Sequence, residues 1–366
     1  MLAKPNRAVS GGAAIPLRRF AMFSLLALLA ATAVGTPVRI NDIVTIGTHN
    51  SYKLAVRPER LAKLRAQNPK GADALDYSHR PLMEQLNAGA RQLELDVYYD
   101  PKGGLYADGS TDPAMYRPGF KVQHIAGFDN RASCVTLVQC LTIVRDWSNA
   151  HPGHVPILLM FNTNDTSPLM KPEPFTEAAY DALDAEIRSV LAPGKLITPD
   201  DVQGRYPTLR EAVLANNWPT LEASRGKFLF ALDEKPEKVA LYRGKRKSLE
   251  GRVFFVNTDE DSPAAAYLTL NDPIGEAERI TRDVKAGFIV RTRADDNTWA
   301  ARANNTAPRE AAFRNGAQYI STDYLWPDPR FPGGYHVSMP DGVTALCNLV
   351  RRPQGCGSAP LEPKAR

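Results

Sequence analysis

Short apolar runs rich in β-branched and aromatic residues alternate along the chain with amphipathic stretches, and this alternation limits the fold more than any other feature. The runs typical of strands lie at 42–49, 91–97, 121–125, 155–162, 227–233, 252–257, 287–293 and 317–323. The stretches with helical periodicity lie at 80–90, 136–151, 176–192, 208–217, 274–287 and 307–317. Strands that alternate with helices form parallel sheets, so the pattern predicts an α/β protein.

Eight strand-like runs are the number needed to close a (β/α)8 barrel, the TIM barrel, within one domain. The connections after the second and fifth runs are short or poorly helical, so we expect a somewhat irregular barrel. A doubly wound open sheet with the same number of strands is the alternative. Pairing of the first run with the last distinguishes the two folds, because only a closed barrel brings them together.

The first 35 residues have the pattern of an export signal. Arg18 and Arg19 precede an apolar run at 20–31, and small residues follow where a signal peptidase would cut. The apolar run is shorter than the roughly 20 residues of a spanning helix, which makes a retained anchor the alternative. We therefore expect a signal peptide over 1–35, a barrel domain over 36–340 and a C-terminal tail over 341–366, in a secreted or periplasmic protein.

Four cysteines in an exported chain predict disulfides, and four allow three connectivities. The two local loops cost the least entropy to close, which favours Cys134 with Cys140 and Cys347 with Cys356. Zinc is the competing interpretation. Neither spacing is of the CxxC kind, however, and no histidine lies near the second pair.

Charge and composition exclude one class of partner. The net charge of +5 is spread along the sequence without a long basic block, while 43% of the residues are hydrophobic and 23% are charged. These proportions are typical of a globular protein, and the absence of a basic stripe argues against nucleic acid as a ligand.

Polar residues follow seven of the eight predicted strands at the end where a barrel carries its chemistry. One polar strand end is an ordinary loop, but seven around one rim indicate a site. Its candidate members, in chain order, are His49, Asn50, Glu94, Asp96, His124, Asn162, Asn164, Asp233, Arg291, Arg293 and Asp323.

The carboxylates in this set suggest a metal. Glu94 and Asp96 are two residues apart on a strand and point to the same face, where they repel each other unless a cation is shared between them. Ca²⁺ prefers carboxylate and amide oxygens, and Asn50 and Asn162 are candidates to complete such a ligand set. The alternative is a pair of salt bridges to the rim arginines at 291 and 293.

Two histidines complete the chemistry. His49 and His124 end different strands at the same rim, so we expect them to face each other across the barrel mouth. Two imidazoles, a divalent cation and arginines are the groups that phosphoryl transfer requires, since they move protons near neutral pH and offset the charge of the phosphate oxygens.

Aromatic residues follow the last strand in a segment whose prolines and glycines exclude a regular helix: Tyr324, Trp326, Phe331 and Tyr335. Exposed tryptophan and tyrosine favour the interface of a lipid bilayer. The segment therefore predicts contact with a membrane surface, and packing of these rings over the barrel is the alternative.

The segments "GTHNSY" (47–52), "QLELDVYYD" (92–100), "VQHI" (122–125), "RTRADDNT" (291–298) and "QYISTDY" (318–324) resemble the bacterial calcium-dependent phosphoinositide phospholipase C family, a group of barrel phosphodiesterases. The resemblance runs from about residue 44 to about 324. It implies a Ca²⁺-dependent enzyme that cleaves phosphatidylinositol-type phospholipids to diacylglycerol and inositol phosphate through attack of the inositol 2-hydroxyl on phosphorus.

The resemblance also implies roles for individual residues. His49 would stabilise charge at phosphorus and His124 would protonate the leaving alkoxide. Asn50, Glu94 and Asp96 would hold Ca²⁺, and Glu94 is also a candidate base. The remaining rim residues are candidates for binding substrate: Arg291, Arg293, Asp323 and Trp326.

One strand departs from the family pattern. Asn162 and Asn164 stand where relatives align a glutamate followed two residues later by lysine. The loss of a carboxylate leaves the metal site one charge short and predicts weaker Ca²⁺ binding. A different substrate or a member with little activity is also compatible. Two alternatives therefore stay open: another barrel phosphodiesterase acting on glycerophosphodiesters or sphingolipids, and a non-catalytic protein that binds phosphorylated head groups.

Overall fold

Eight parallel strands form a ring in the structure, a computed structural model that describes residues 36–354, 356–357 and 360–362. The export signal predicted over 1–35 lies outside the described residues. The strands are β1 (Ile43–Thr48), β2 (Gln92–Asp100), β3 (Gly119–Val122), β4 (Ile157–Thr163), β5 (Leu196–Ile197), β6 (Phe228–Leu232), β7 (Phe254–Val256), β8 (Tyr267–Thr269), β9 (Ile289–Arg293), β10 (Tyr319–Thr322) and β11 (Ala345–Cys347).

The helices of the described part surround this ring. They are α1 (Pro58–Gln67), α2 (Pro69–Leu75), α3 (Leu82–Asn87), α4 (Leu137–Ala150), α5 (Glu177–Val190), α6 (Pro199–Gln203), α7 (Leu209–Leu214), α8 (Pro236–Arg243), α9 (Ala277–Ala286), α10 (Trp299–Arg302) and α11 (Ala307–Asn315). None of these helices is long and apolar enough to cross a bilayer.

Closure of the ring settles the choice between barrel and open sheet. β1 pairs with β10 in parallel, with Thr45 opposite Tyr319, so the first and last predicted runs are neighbours. The order around the ring is β1, β2, β4, β6, β7, β8, β9 and β10. Between β7 and β8 the contact is a single bridge between Asn257 and Tyr267, supported by a hydrogen bond from the Thr269 amide to the Asn257 side chain at 3.0 Å. The predicted irregular (β/α)8 barrel is confirmed.

One strand was assigned wrongly from the sequence. The run at 121–125 is not a barrel strand: it contributes to β3, which pairs antiparallel with β2 and places Val122 opposite Val97. The connection between β2 and β3 contains no α-helix, so the chain returns as a hairpin. The eighth barrel strand is instead β8, whose three residues are too few to give a clear sequence pattern.

The six predicted helices are present, and side-chain caps explain where several begin. The Thr136 hydroxyl accepts a hydrogen bond from the Gln139 backbone at 3.2 Å, and the Gln139 side chain reaches back to complete a capping box at the start of α4. The hydroxyls of Thr176 and Thr208 likewise accept hydrogen bonds from the Ala179 and Glu211 amides at the starts of α5 and α7. The helices bury one face against the strands, and most buried apolar residues form one continuous core.

The segment after residue 340 contributes to the sheet. β11 pairs antiparallel with β1, with Cys347 opposite Ile43, so the predicted C-terminal tail begins with a strand on the barrel. Two disulfides, Cys134 with Cys140 and Cys347 with Cys356, confirm the predicted local connectivity.

Candidate active site

A cavity of about 550 Å³ opens at the C-terminal ends of the barrel strands. Seven of the predicted site residues line it together: His49, Asn50, Glu94, Asp96, His124, Asn162 and Asn164. Glu234 also lines it, as does the loop after β4. The strand ends therefore bring together residues that are more than a hundred positions apart in the sequence.

His49 lies just beyond β1 and is held by a carboxylate from the neighbouring β10 end. Its Nδ1 lies 2.8 Å from Oδ1 of Asp323, which also receives Arg293 at 2.9 Å through its other oxygen. Burial would raise the pKa of Asp323, but the charges of His49 and Arg293 outweigh it and hold that pKa below its usual value. Asp323 is therefore ionised. The Nδ1 of His49 carries a proton and donates it in a hydrogen bond to the Asp323 carboxylate.

The second nitrogen of His49 faces the cavity. Its Nε2 lies 3.6 Å from Oε1 of Glu94. Burial, together with the positive charge of Arg293, lowers the pKa of His49 to about 3, despite the opposing effect of Asp323. The ring is therefore neutral at neutral pH, and its Nε2 lone pair lies 3.5 Å from Nη1 of Arg293, which can donate to it.

His124 is held in the same manner by a carboxylate that sequence reasoning missed. Its Nδ1 lies 2.8 Å from Oδ2 of Asp129, whose side chain is fully buried. The two residues are joined by a tight turn in which the Asp129 amide donates to the carbonyl of Ile125 at 2.9 Å. An aspartate five residues after a candidate histidine was the available clue, because a turn of that length brings the two side chains together.

Glu94 and Asp96 both project into the cavity but have different partners. Glu94 Oε2 accepts a hydrogen bond from Arg291 at 2.7 Å, while Asp96 Oδ2 accepts one from Asn164 at 3.3 Å and Asp96 Oδ1 is buried with no partner. Burial raises the pKa of Glu94 to about 7 against the pull of Arg291. Burial and the charge of Glu94 raise the pKa of Asp96 well above its usual value. The salt-bridge alternative therefore accounts for Glu94 but not for Asp96.

The oxygen atoms around Asp96 fit Ca²⁺. Asn162 lies opposite Asp96 in the β2–β4 ladder, and its amide nitrogen donates to the backbone carbonyl of Asp233, which leaves Oδ1 free. The Asn50 amide nitrogen donates to the Tyr77 hydroxyl at 2.8 Å. The described residues contain no cluster of three or more His, Cys, Asp or Glu suited to a metal. The candidate ligands that line the cavity are two carboxylates, Glu94 and Asp96, and two amides, Asn50 and Asn162. Hard oxygens of these types are the ligands that Ca²⁺ takes.

Three predicted substrate-binding residues, Arg291, Arg293 and Asp323, do not line this cavity, and Asp323 lines a second pocket that also contains Trp326. Arg291 is buried and donates to Ser321 at 2.7 Å and to Asn271 at 2.6 Å, in addition to Glu94. Arg293 and Asp323 pair with each other. These groups orient Glu94 and His49, whereas Glu234, which the sequence analysis did not select, does line the cavity beside Asn162. The predicted Asp233 side chain bonds Asn257 at 2.9 Å and does not line it.

The aromatic segment after β10 packs inward for the most part. Tyr324, Phe331 and Tyr335 are buried, so the prediction that these rings are exposed at the rim is wrong. The Tyr335 hydroxyl donates to the Ala294 carbonyl at 2.9 Å, which gives its polar tip a partner inside the protein. Trp326 is half-buried and lines a separate pocket of about 420 Å³, where the Arg80 guanidinium lies 4.4 Å from its ring centre.

Comparison with known proteins identifies what this arrangement is similar to. A family model described as "Phosphoinositide phospholipase C, Ca2+-dependent" matches residues 38–349. A search of curated proteins gives no match.

Two solved structures are similar in fold. A calcium-dependent phosphoinositol-specific phospholipase C from a Pseudomonas species is 18% identical, with 85% of this chain and 96% of that chain covered at a TM-score of 0.54. A Ca²⁺-dependent phosphatidylinositol-specific phospholipase C from Streptomyces antibioticus is 19% identical, with 78% and 95% covered at a TM-score of 0.51. These likenesses show a shared barrel fold.

Proposed function

The chain belongs to the calcium-dependent phosphoinositide phospholipase C family, and we propose that it cleaves phosphatidylinositol-type phospholipids to diacylglycerol and inositol phosphate. Membership makes it a phosphoric diester hydrolase with Ca²⁺ as its cofactor. One observation carries the proposal: His49 and His124, each bonded through Nδ1 to a carboxylate, face a single cavity that also holds Glu94 and Asp96.

The cavity residues can move the protons that this reaction requires. As the inositol 2-hydroxyl attacks phosphorus it releases a proton, and Glu94, whose carboxylate lines the cavity, is the candidate base. The bond from phosphorus to the diacylglycerol oxygen then breaks. His124 gives that oxygen a proton from Nε2, since Asp129 occupies Nδ1 and fixes the ring.

His49 lines the same cavity. Because burial lowers its pKa to about 3, the neutral ring is a weak base, and stabilisation of charge at phosphorus requires the protonated ring, which a bound phosphate anion favours. When held by Asn50, Glu94, Asp96 and Asn162, Ca²⁺ supplies positive charge for the phosphoryl oxygens.

An assay of labelled phosphatidylinositol with and without EDTA tests the proposal. We expect diacylglycerol release that EDTA abolishes and added Ca²⁺ restores. Faster hydrolysis of glycerophosphocholine than of lipid dispersions would instead indicate another barrel phosphodiesterase. Head-group binding without turnover would indicate a non-catalytic relative.

We also propose that the enzyme works at a membrane surface. Exposed apolar residues next to the cavity would contact the bilayer. Leu169 is 61% exposed and directly follows cavity-lining residues 166–168. Leu105 and Tyr116, also exposed, lie in the β2–β3 hairpin. This hairpin contacts the loop after β4 through a hydrogen bond from the Glu173 amide to the Tyr106 hydroxyl.

Leu169→Ser is expected to slow cleavage in phosphatidylinositol vesicles by about tenfold, because an inserted leucine contributes roughly 1.5 kcal/mol to burial of apolar surface. Cleavage of a soluble short-chain analogue should change less than about twofold, since catalysis itself is untouched. Leu214→Ser is the matched control: Leu214 is 45% exposed, and its neighbour Val213 lies against Gly287 at the opposite end of the barrel. Equal losses on both substrates would refute the interfacial role.

Trp326→Ala, compared in the same two assays, tests whether the half-buried tryptophan contributes.

We further propose that residues 1–35 direct export and are removed. The two disulfides support this proposal, because such bonds persist in oxidising compartments. The mass and N-terminal sequence of the protein collected outside the cytoplasm test it, and we expect a mature chain that begins near residue 34 or 36. An intact N-terminus in the membrane fraction would instead indicate a retained anchor.

A further inference from the structure

Lys53 is a fully buried lysine beside the candidate active site. Its three ammonium hydrogens have three oxygen acceptors: the carbonyl of Leu75 at 3.0 Å, the carbonyl of Tyr77 at 2.9 Å and Oδ2 of Asp129 at 3.3 Å. Burial of a charge is costly unless it is paired and hydrogen-bonded. Each hydrogen of the Lys53 ammonium has an acceptor, and Asp129 supplies the opposite charge. These contacts hold the ammonium group in place.

The acceptors of Lys53 belong to both histidine arrangements. On one side, Oδ2 of Asp129 is the same atom that accepts Nδ1 of His124 at 2.8 Å. On the other side, the ammonium lies 4.4 Å from the ring centre of Tyr77, whose hydroxyl accepts Asn50 and lies 3.3 Å from Nδ1 of His49. Lys53 therefore lies between the groups that orient the two walls of the cavity.

Backbone pairing holds the same two segments together. Lys53 forms an antiparallel bridge with Ala132, the Ser133 amide donates to the Tyr52 carbonyl at 2.8 Å, and the Leu54 amide donates to the Arg131 carbonyl. The segment after Asn50 thus lies against the segment after Asp129. Within this contact the Lys53 side chain is the ionic link.

We propose that Lys53 is a positioning residue for the reaction, which fixes Asp129 and Tyr77 so that His124 is held in register with His49 and Asn50. This inference rests on the proposed function. Lys53 touches no substrate and acts through its partners. A displacement of about 1 Å at such a site is enough to lower the rate by about a hundredfold.

Lys53→Met, which keeps the length of the side chain and removes its charge, tests the proposal. We expect kcat on a soluble phosphatidylinositol analogue to fall by about 10- to 100-fold while KM changes less than about threefold, because alignment is lost but binding groups remain. Lys121→Met is a matched control, since Lys121 is equally buried, lies 3.3 Å from Asp100 and donates to two backbone carbonyls. Both variants should lose thermal stability, but only the first should lose kcat.

A second variant separates alignment from misfolding. Lys53→Met in an Asp129→Asn background leaves no unpaired buried carboxylate, so the double variant should fold at least as well as Lys53→Met. If Lys53 acts through Asp129, the loss in kcat of the double variant will be smaller than the product of the two single losses. A loss equal to that product would overturn the proposal, as would equal losses in the two lysine variants.

A proton NMR measurement tests the role of Lys53 without any substrate. The Nδ1 proton of His124, shared with Asp129, should give a downfield proton resonance that Lys53→Met shifts and Lys121→Met leaves in place. If the wild-type enzyme fails to cleave phosphatidylinositol, the proposed function falls, but this shift still decides whether Lys53 positions His124. An unchanged resonance in Lys53→Met would overturn the inference.

Discussion

His124→Ala is expected to lower kcat on phosphatidylinositol by about 10²- to 10⁴-fold, the usual contribution of a positioned proton donor. The leaving alkoxide of diacylglycerol is a strong base, and the cavity places one imidazole with its Nδ1 fixed by Asp129 where it can supply the proton. KM should change little, because His124 makes its interaction mainly in the transition state. Steady-state kinetics with and without the substitution check both numbers.

The matched control for this experiment is His151→Ala. His151 is half-buried, stacks on Trp147 at a centroid distance of 4.2 Å and lies at the C-terminal end of α4, away from the cavity. Its removal should cost some stability and leave kcat within about twofold. Activity that survives in the His124 variant would contradict the assigned role. Loss of turnover with retained head-group binding would exclude a protein whose purpose is binding alone.

The barrel was predictable from the sequence because its evidence is repeated along the chain. Alternation of apolar runs and amphipathic helices is a local property, and seven of the eight predicted runs are barrel strands, including β1 and β10, which close the ring. The error at β3 shows the limit of this reasoning. An apolar run indicates a buried strand but carries no information about its direction, and the antiparallel return to β2 depends on the fold of the intervening loop.

The cavity residues were predictable for a related reason, whereas their partners were not. Strand ends in a barrel share one rim, so His49, Glu94 and Asp96 could be placed together without knowledge of side-chain positions. The pairing of His49 with Asp323 depends on rotamers and on the stagger between β1 and β10. The spacing of residues in the sequence predicts neither the rotamers nor the stagger.

The arginine and aromatic residues show that the type of a residue does not determine whether its side chain is exposed. Arg291 was expected to meet substrate because it ends a strand at the rim, but β9 directs it into the barrel, where it donates to Glu94 and Ser321, so the salt-bridge alternative is correct for this arginine. Proline and glycine after β10 correctly excluded a regular helix, yet they do not determine which way Tyr324 points. Its ring packs against Phe331 at a centroid distance of 5.8 Å, and such a contact between residues seven apart in an irregular segment has no periodic signature.

Ca²⁺ is expected to raise the melting temperature of the wild-type protein, and Asp96→Asn should abolish this increase in the millimolar range. A ligand that binds only the folded state stabilises it by about 2.7 kcal/mol at a hundred times its dissociation constant. Asp96 is the natural centre of the site because its Oδ1 is buried without a partner and its pKa is raised in the metal-free protein. Asp100→Asn, in the same strand but paired with Lys121, should lower the melting temperature yet keep the full Ca²⁺ increment.

The pH dependence of this increment has a definite sign. Burial raises the pKa of Glu94 to about 7, so Ca²⁺ must displace a proton from it at acidic pH. The increment should therefore be larger at pH 8 than at pH 6. The metal-free protein behaves oppositely, because a carboxyl with a raised folded-state pKa contributes stability at low pH that is lost as the pH rises through about 7.

Asn162→Glu extends the test in the direction of tighter binding. It returns a carboxylate to a position opposite Asp96 in the β2–β4 ladder, and since ligand charge tunes Ca²⁺ affinity, we expect the dissociation constant to fall by about tenfold or more. Calorimetric titration and the melting curve should agree on this change. A melting temperature indifferent to Ca²⁺ in the wild type and in this variant would contradict a metal site here. In that case the salt bridge from Arg291 alone would compensate the buried charge of Glu94. Asp96, whose pKa is raised by burial, would stay protonated.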